Sequence, residues 1–186
     1  MIVIGAGPVG LCLALALAQQ DVRVVLIEAL GADNFLEQVP RAGTNHPATL
    51  ELYDRIGLYR RIEPRGIIAP LFRHWDRRGQ ELIAEFDHRH LKDDTRFPYV
   101  LQCERIKIVE EALKLAGAHP DIDLRLSTMF TAFEQDAGGV RASVKNPAGE
   151  TEHLRGAYLV GCEGARSIVR KELGIAFEGF TYPDAP

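Results

Sequence analysis

Cysteine is scarce in this chain, with only Cys12, Cys103 and Cys162 among 186 residues. Their odd number, wide spacing and apolar neighbours exclude a disulfide framework and give no metal-ligand spacing. Buried thiols in a reducing compartment fit better. Long apolar runs are missing too. The Leu/Ala stretch over 11–18 is too short to span a bilayer, and a glycine turn rather than a basic segment precedes it, so it reads as neither a membrane span nor a secretory signal. Nor does one sign of charge dominate: 22 basic and 26 acidic residues leave a formal net charge of −4. That balance gives no reason to expect nucleic acid, and the basic patches Arg60-Arg61 and Arg77-Arg78 read as surface decoration. Repeats and low-complexity tracts are absent. What remains is an ordinary globular composition, 46% hydrophobic and 26% charged, long enough for one sizeable core. The cytoplasm is the expected compartment.

Against that plain background the start of the chain stands out. Residues 2–4 are apolar, Gly5-Ala6-Gly7-Pro8-Val9-Gly10 follows, and a helical Ala/Leu-rich stretch runs from Val9 to about Gln20. A second apolar run over 22–27 closes on Glu28. Strand, glycine turn, helix, strand and terminal acid, in that order, form the fingerprint of a loop that holds the diphosphate of a dinucleotide. Each glycine has its own task. Gly5 permits the tight turn, Gly7 keeps the backbone bare for the diphosphate, and Gly10 lets the helix pack closely on the sheet. The helix offers unpaired N–H groups and its positive dipole end to the phosphates. Glu28 is placed to accept hydrogen bonds from a ribose. A terminal Glu favours an unmodified ribose, as in FAD or NAD rather than NADP, and the pattern alone does not separate those two. An incidental glycine turn would leave Glu28 unexplained.

Downstream, the pattern predicts an α/β domain. Residues 31–44 read as an irregular connection carrying Pro40 and Arg41. Asn45-His46-Pro47 marks a helix start; Leu50, Leu52, Tyr53 and Ile56 supply its apolar face, and Gly57 its C-terminal cap. After a break over 64–70, residues 71–76 and 81–86 form a hairpin around Arg77-Arg78-Gly79-Gln80. A helix is predicted over 104–116, with Ile106, Val109, Leu113 and Ala116 on one face and Gly117 as its stop. From Ile122 the period changes to two. Turns at Asp136-Ala137-Gly138-Gly139 and Asn146-Pro147-Ala148-Gly149 separate three short strands. Residues 158–161 make a last buried strand, with a short helix through Leu173 beyond it. The expected architecture is Rossmann-like and three-layered (β/β/α), a central parallel sheet supplemented by an antiparallel β meander.

Three segments together resemble the class A flavoprotein aromatic monooxygenases, the family of para-hydroxybenzoate hydroxylase. The first is Gly5-x-Gly7-x-x-Gly10 with Glu28. The second is Pro40-Arg41-Ala42-Gly43-Thr44 before Ala48-Thr49-Leu50-Glu51-Leu52. The third, Gly161-Cys162-Glu163-Gly164-Ala165-Arg166-Ser167-x-x-Arg170, is similar to that family's Asp-Gly motif, and Gln102 also fits the pattern. Within the family the chain looks most similar to hydroxylases of phenols and hydroxyphenylpropanoates.

The resemblance implies the FAD-binding part of an enzyme that hydroxylates a phenolic substrate with NAD(P)H and O2. It implies that Gly5, Ala6, Gly7, Pro8, Val9, Gly10 and Glu28 hold the ADP half of FAD. Arg41 would reach the diphosphate or ribityl region, where a fixed fork of donors suits anionic oxygens. Gln102 would hydrogen-bond the ribityl chain, and the strand near Phe130 would offer backbone groups to the adenine. Glu163 and Gly164, with Arg166, Ser167 and Arg170, would contact the diphosphate and dock the reduced nicotinamide. Glu163 departs from the family's usual Asp; the added methylene moves the carboxylate by about a bond length, which is expected to weaken or water-bridge a backbone-organising role. The family's later flavin motif, Gly-Asp followed by Ala and His, has no counterpart. The chain is therefore expected to be an N-terminal portion, with an FAD-binding domain over 1–175 and the start of a substrate domain over 176–186. No catalytic acid or base is assigned, and self-association is left open.

Other readings compete less well. Asp87-His88-Arg89-His90 sets two imidazoles at strand spacing, but no third metal ligand is well spaced, and solvated loop histidines explain them better. Ser127, Ser143 and Ser167 lack the setting of a nucleophile elbow. Trp75 reads as packing. Another FAD-linked oxidoreductase on the same scaffold and a non-catalytic FAD-binding module are the alternatives.

Overall fold

The computed structural model describes residues 1–31 and 43–180. At its centre β1 (Ile2–Ile4) leads into α1 (Pro8–Ala18), which returns to β2 (Val24–Ile27) alongside. A long excursion follows. It comprises β3 (Thr44–Asn45), α2 (Pro47–Arg55), the short α3 (Tyr59–Ile62), β4 (Ile67–Ala69), β5 (Leu71–Trp75), β6 (Leu82–Asp87), β7 (Val100–Gln102) and α4 (Arg105–Ala118). Only then does β8 (Ile122–Arg125) join the sheet beside β2. An antiparallel meander of β9 (Met129–Asp136), β10 (Gly139–Lys145) and β11 (Thr151–Gly156) leads to β12 (Leu159–Gly161), which pairs with the other edge of β1. The chain turns once more into α5 (Ile168–Glu172). The central sheet is parallel throughout, in the order β12-β1-β2-β8.

Side-chain alternation along these strands builds the layers. Val3 and Leu26 point to one face, where they share a core with Leu11, Ala14 and Leu15 of α1 and Ile108, Val109 and Ala112 of α4. Ile2, Ile4 and Ile27 point to the opposite face, against Phe130, Ala142 and Val144 of the meander and Val169 of α5. A strand covered on both faces has no room for polar side chains, which accounts for the uninterrupted apolar runs of β1 and β2. The predicted α/β class and its parallel and antiparallel parts are both present.

Four local expectations are corrected. α4 runs through Gly117 to Ala118, because a glycine costs only about 1 kcal/mol in a helix that Ala112 and Ala116 already anchor in the core. The stop comes at His119, whose extended backbone (φ −85°, ψ 127°) is what the following Pro120 imposes. The buried stripe of α4 runs through Ile108, Val109, Ala112 and Ala116, so Ile106 and Leu113 lie on its flanks. Leu52 of α2 is exposed, since Leu50, Tyr53 and Ile56 fill the inward stripe. Finally, the strand expected from Ile122 to the turn at Asp136 is two strands, broken where Ser127 adopts a left-handed φ of 51°. The first of them belongs to the parallel sheet, not the meander.

The β5–β6 hairpin stands apart from this core. Phe72 faces Phe86 and His74 faces Ala84 across one side, with the Phe72 and His74 rings 4.8 Å apart. Arg73 and Glu85 form an ion pair on the other. Phe72, Trp75, Leu82, Ile83 and Phe86 are all exposed.

Candidate cofactor-binding site

Parallel strands bring their carboxyl ends to one edge of the sheet. There the chain leaves β1 toward β2 on one side, while β12 arrives on the other, which opens a crevice at the switch point. A cleft of about 1230 Å³ lies at this edge. Gly5, Gly7, Pro8 and Val9 line it after β1, Glu28 and Ala29 after β2, and Cys162, Glu163, Gly164, Ala165 and Arg166 after β12. Thr128, Met129 and Phe130 enter from the meander, and Arg105, Ile106 and Val109 from α4.

The glycines of the first turn divide their work as their spacing predicts. Gly5 has a φ of 97°, and a Cβ there would sit 2.7 Å from the Cys162 carbonyl oxygen. A Cβ on Gly10 would lie 1.9 Å from the Gly5 oxygen, so α1 crosses this turn at a distance only a glycine allows. Gly7 is different. Its φ of −65° and ψ of 179° suit any residue, and an added Cβ would meet nothing within 4 Å. The protein's own packing does not require a glycine there; the bare backbone faces the cleft. The first intrahelical bond of α1 runs from Leu11 N–H to the Gly7 carbonyl at 3.0 Å. The N–H groups of Val9 and Gly10 therefore precede any intrahelical acceptor and carry the helix's positive end.

Glu28 does more than its sequence position discloses. Its Oε2 accepts the Ala6 N–H and its Oε1 the Leu30 N–H, each at 2.9 Å. The carboxylate thereby fastens the glycine turn to the end of β2. Each oxygen keeps a second lone-pair site, so it can still accept ribose hydroxyls.

Glu163 behaves alike on the far side. Its carboxylate accepts Ser167 Oγ–H at 2.6 Å and the N–H groups of Ile168 and Val169 at 2.9 and 3.3 Å. Ser167 Oγ in turn accepts the Arg170 N–H at 3.0 Å. The expectation that Glu in place of Asp weakens this segment is thus corrected, because the longer side chain reaches the α5 donors directly. Ser167 and Arg170 are committed to local structure: the Arg170 guanidinium donates to the carbonyls of Ala165 and Ile175, both at 3.3 Å, and stacks over Phe177. Neither lines the cleft, whereas Arg166 does.

The remaining expected residues are distributed unevenly. Phe130 lines the cleft while belonging to the meander core, and Gly164 lines it with a φ of 75°. Ala6 and Gly10 are buried behind the turn. Gln102 ends β7 away from the cleft lining, its side-chain oxygen accepting Thr44 Oγ1–H at 3.0 Å. Arg41 lies outside the described residues. Arg105 and Thr128 were not anticipated. The pattern assigned α4 to the core, and only its start directly after β7 hints that its first turn reaches the strand ends.

Burial pushes all three thiols upward, Cys12 to about 11, with Glu163 adding to the effect at Cys162. Raised values favour the protonated thiol at neutral pH, so nothing here activates Cys162 in the cleft wall as a thiolate. His88–Leu91 form a 3-10 turn rather than a strand. Positions two apart there point about 120° away from each other, so His88 and His90 do not share a face. Among the described residues no group of three or more side chains could hold a metal. Ser143 Oγ lies 3.1 Å from His153 Nδ1 on the exposed meander, away from the cleft.

Bare Gly7, the pole of α1 and a doubly anchored acid with spare acceptor capacity suit a dinucleotide with an unmodified ribose. Comparison decides which one: residues 1–184 match a family described as "FAD binding domain". The chain belongs to that family. This FAD-binding domain is 33% identical over 184 residues to para-nitrophenol 4-monooxygenase of Pseudomonas sp. (strain WBC-3), covering 99% of this chain and 44% of that protein. It is 30% identical over 185 residues to a 3-(3-hydroxy-phenyl)propionate/3-hydroxycinnamic acid hydroxylase of Mycobacterium sp. (strain JLS), covering 98% and 31%. The crystal structure of p-nitrophenol 4-monooxygenase from Pseudomonas putida DLL-E4 matches with a TM-score of 0.88 at 32% identity, over 97% of this chain and 45% of that one. The resemblance to class A flavoprotein aromatic monooxygenases therefore holds. The chain spans less than half the length of these relatives.

Proposed function

We propose that this chain is the FAD-binding part of an enzyme that hydroxylates a phenolic ring with NAD(P)H and O2. The observation that carries the reading is Gly7, bare toward a large cleft although the fold would tolerate a side chain there. Gly7 and the first N–H groups of α1 hold the diphosphate, and Glu28 accepts from the adenosine ribose. The start of β9 at Phe130 flanks the adenine. Arg41 and Gln102 serve the diphosphate and ribityl chain, and Glu163-Gly164 shapes the far wall near the nicotinamide. Bound FAD would supply hydride acceptance and O2 activation. The residues of this chain bind it, orient it and exclude water; none has to move a proton.

Residues 1–175 make up this domain, and 176–186 begin a unit that completes the aromatic pocket. The greater length of the relatives supports a further unit beside this domain in the whole protein. The substrates for which those relatives are named, a nitrophenol and a hydroxyphenylpropionate, support a phenol as the ring attacked. No helix among the described residues is long and apolar enough to cross a membrane, and the cytoplasm, where NAD(P)H is regenerated, is the compartment that fits.

Titration of the chain with FAD, followed by flavin fluorescence, should saturate at one equivalent. Gly7→Val should raise the Kd by at least about 100-fold, roughly 3 kcal/mol, with an unchanged circular dichroism spectrum. Equal affinity in the variant removes the cofactor placement. The aromatic step is tested in the polypeptide that carries the substrate unit. There, NAD(P)H oxidation across a panel of phenols without any hydroxylated product defeats the monooxygenase reading.

A further inference from the structure

The cleft carries a charge problem that the glycine turn only partly solves. Two carboxylates, Glu28 and Glu163, line it, and both accept hydrogen bonds from backbone N–H groups. A diphosphate arriving there adds negative charge to a wall already negative. The pole of α1 offsets part of that repulsion, but its effect fades within one turn. The compensating charges among the described lining residues are Arg105 and Arg166.

These two arginines are mounted differently. Arg166 is exposed on the short turn over 164–166. Arg105 is half-buried at the first position of α4, and Ile106 and Val109 of the same helix line the cleft with it. α4 shares a core with α1, through Val109 and Ala112 on one side and Leu11 and Leu15 on the other. The backbone at Arg105 is also backed by Gly43, where an added Cβ would lie 1.6 Å from the Cys103 carbonyl oxygen and 3.1 Å from the Arg105 nitrogen. The helix start that carries Arg105 is thus fixed relative to the glycine turn.

We propose that Arg105 is a second clamp on the cofactor, its guanidinium holding the FAD diphosphate from the α4 wall of the cleft. The assignment rests on the FAD reading above. A planar fork of donors matches two phosphate oxygens at once, which an ammonium cannot do. The arrangement divides the labour: backbone N–H groups supply shape on one wall, and a full positive charge supplies attraction on the other.

Kd values for FAD, ADP and adenosine, measured for the wild-type chain, Arg105→Ala and Arg105→Lys at low and high salt, test this directly. Arg105→Ala should weaken FAD and ADP about tenfold, as loss of a charged hydrogen bond does, leave adenosine unchanged, and flatten the salt dependence. Arg105→Lys should retain the salt dependence and recover part of the affinity. Unchanged FAD affinity in Arg105→Ala overturns the proposal, as does an equal loss for adenosine, which would mark a merely structural role. Weakened NADPH binding to the FAD-loaded chain with unchanged FAD affinity also overturns it, since the clamp would then serve the co-substrate. If Arg105→Ala does not fold, an FAD affinity in Arg105→Lys identical to wild type, although bidentate geometry is lost, overturns it instead. A wild-type chain that takes up no FAD fails earlier, and fails the cofactor reading itself.

Discussion

The β1-α1-β2 unit and the β5–β6 hairpin spend apolar residues in opposite ways. In the first, Val3, Leu11 and Leu26 are completely buried, and a methyl group on Gly10 has nowhere to go. In the second, Ile83 is 69% exposed and Phe86 56%, and the strands lean chiefly on each other. The Arg73–Glu85 ion pair that spans the hairpin is open to solvent, a setting in which such pairs add less than about 1 kcal/mol. An isolated two-stranded hairpin is marginal in water. Behind the glycine turn, at Gly5 and Gly10, the packing leaves no slack; in the hairpin, shape rests chiefly on cross-strand pairs. Tolerance to substitution should therefore differ sharply between the two regions.

The largest effect should come from Gly10→Ala. Its Cβ overlaps the Gly5 carbonyl, so either α1 or the turn must move, at a cost of about 3 kcal/mol or more by urea denaturation. A variant as stable as wild type would mean α1 is not seated on the turn. Glu28→Ala comes next. It removes two hydrogen bonds made by one carboxylate, and a loss of about 2 kcal/mol is expected, together with weaker FAD binding. Weaker binding at full stability would limit Glu28 to reading the ligand.

A third test probes the ground between the two regions. Arg65, on the turn just before β4, bonds Glu110 and Glu111 of α4 at 2.7 and 2.8 Å, and Lys114 joins both acids. Hydrogen bonds from Lys114 first, with Arg65 contributing, hold both carboxyls below their usual value of 4.5. Groups with depressed folded-state values stabilise fully above the unfolded value and lose that contribution as pH falls through the folded one. The urea midpoint should thus be flat near neutrality and fall below pH 4.5. Arg65→Ala should shrink that fall and cost about 1 kcal/mol at neutral pH. A midpoint that drops equally in both proteins would place the acid sensitivity elsewhere. The smallest effect belongs to the hairpin, where Trp75→Ser or Phe86→Ser should each change stability by less than about 0.5 kcal/mol. A cost above about 1.5 kcal/mol would show that these rings are packed after all.

Legibility in the sequence follows the range of the constraint. Gly5 and Gly10 are readable because strand, turn and helix impose their demands within a few residues, and the doubled apolar runs announce a sheet covered on both faces. Ser127 has no such local signal, and the break it makes between β8 and β9 depends on where β2 lies. The continuation of α4 past Gly117 is likewise a packing outcome that overrides a local preference. Glu28 was readable as an acid at a strand end, but its bonds to Ala6 and Leu30 required the folded turn. Arg105 was hidden most deeply, since nothing near Gln102 states which wall the next helix will form. The Glu163 cap shows the opposite error: one methylene, judged by analogy, counted for less than the donors within its reach.

The two bonds of Glu28 tie together what a nucleotide presents separately. One carboxyl group holds the glycine turn through the Ala6 N–H and the end of β2 through the Leu30 N–H, and in the reading proposed above the same group also takes the sugar. On that reading sugar and phosphate recognition would share a hinge pin, so a ligand carrying both would gain more than its halves alone, and a fault at this acid would be felt along the whole nucleotide.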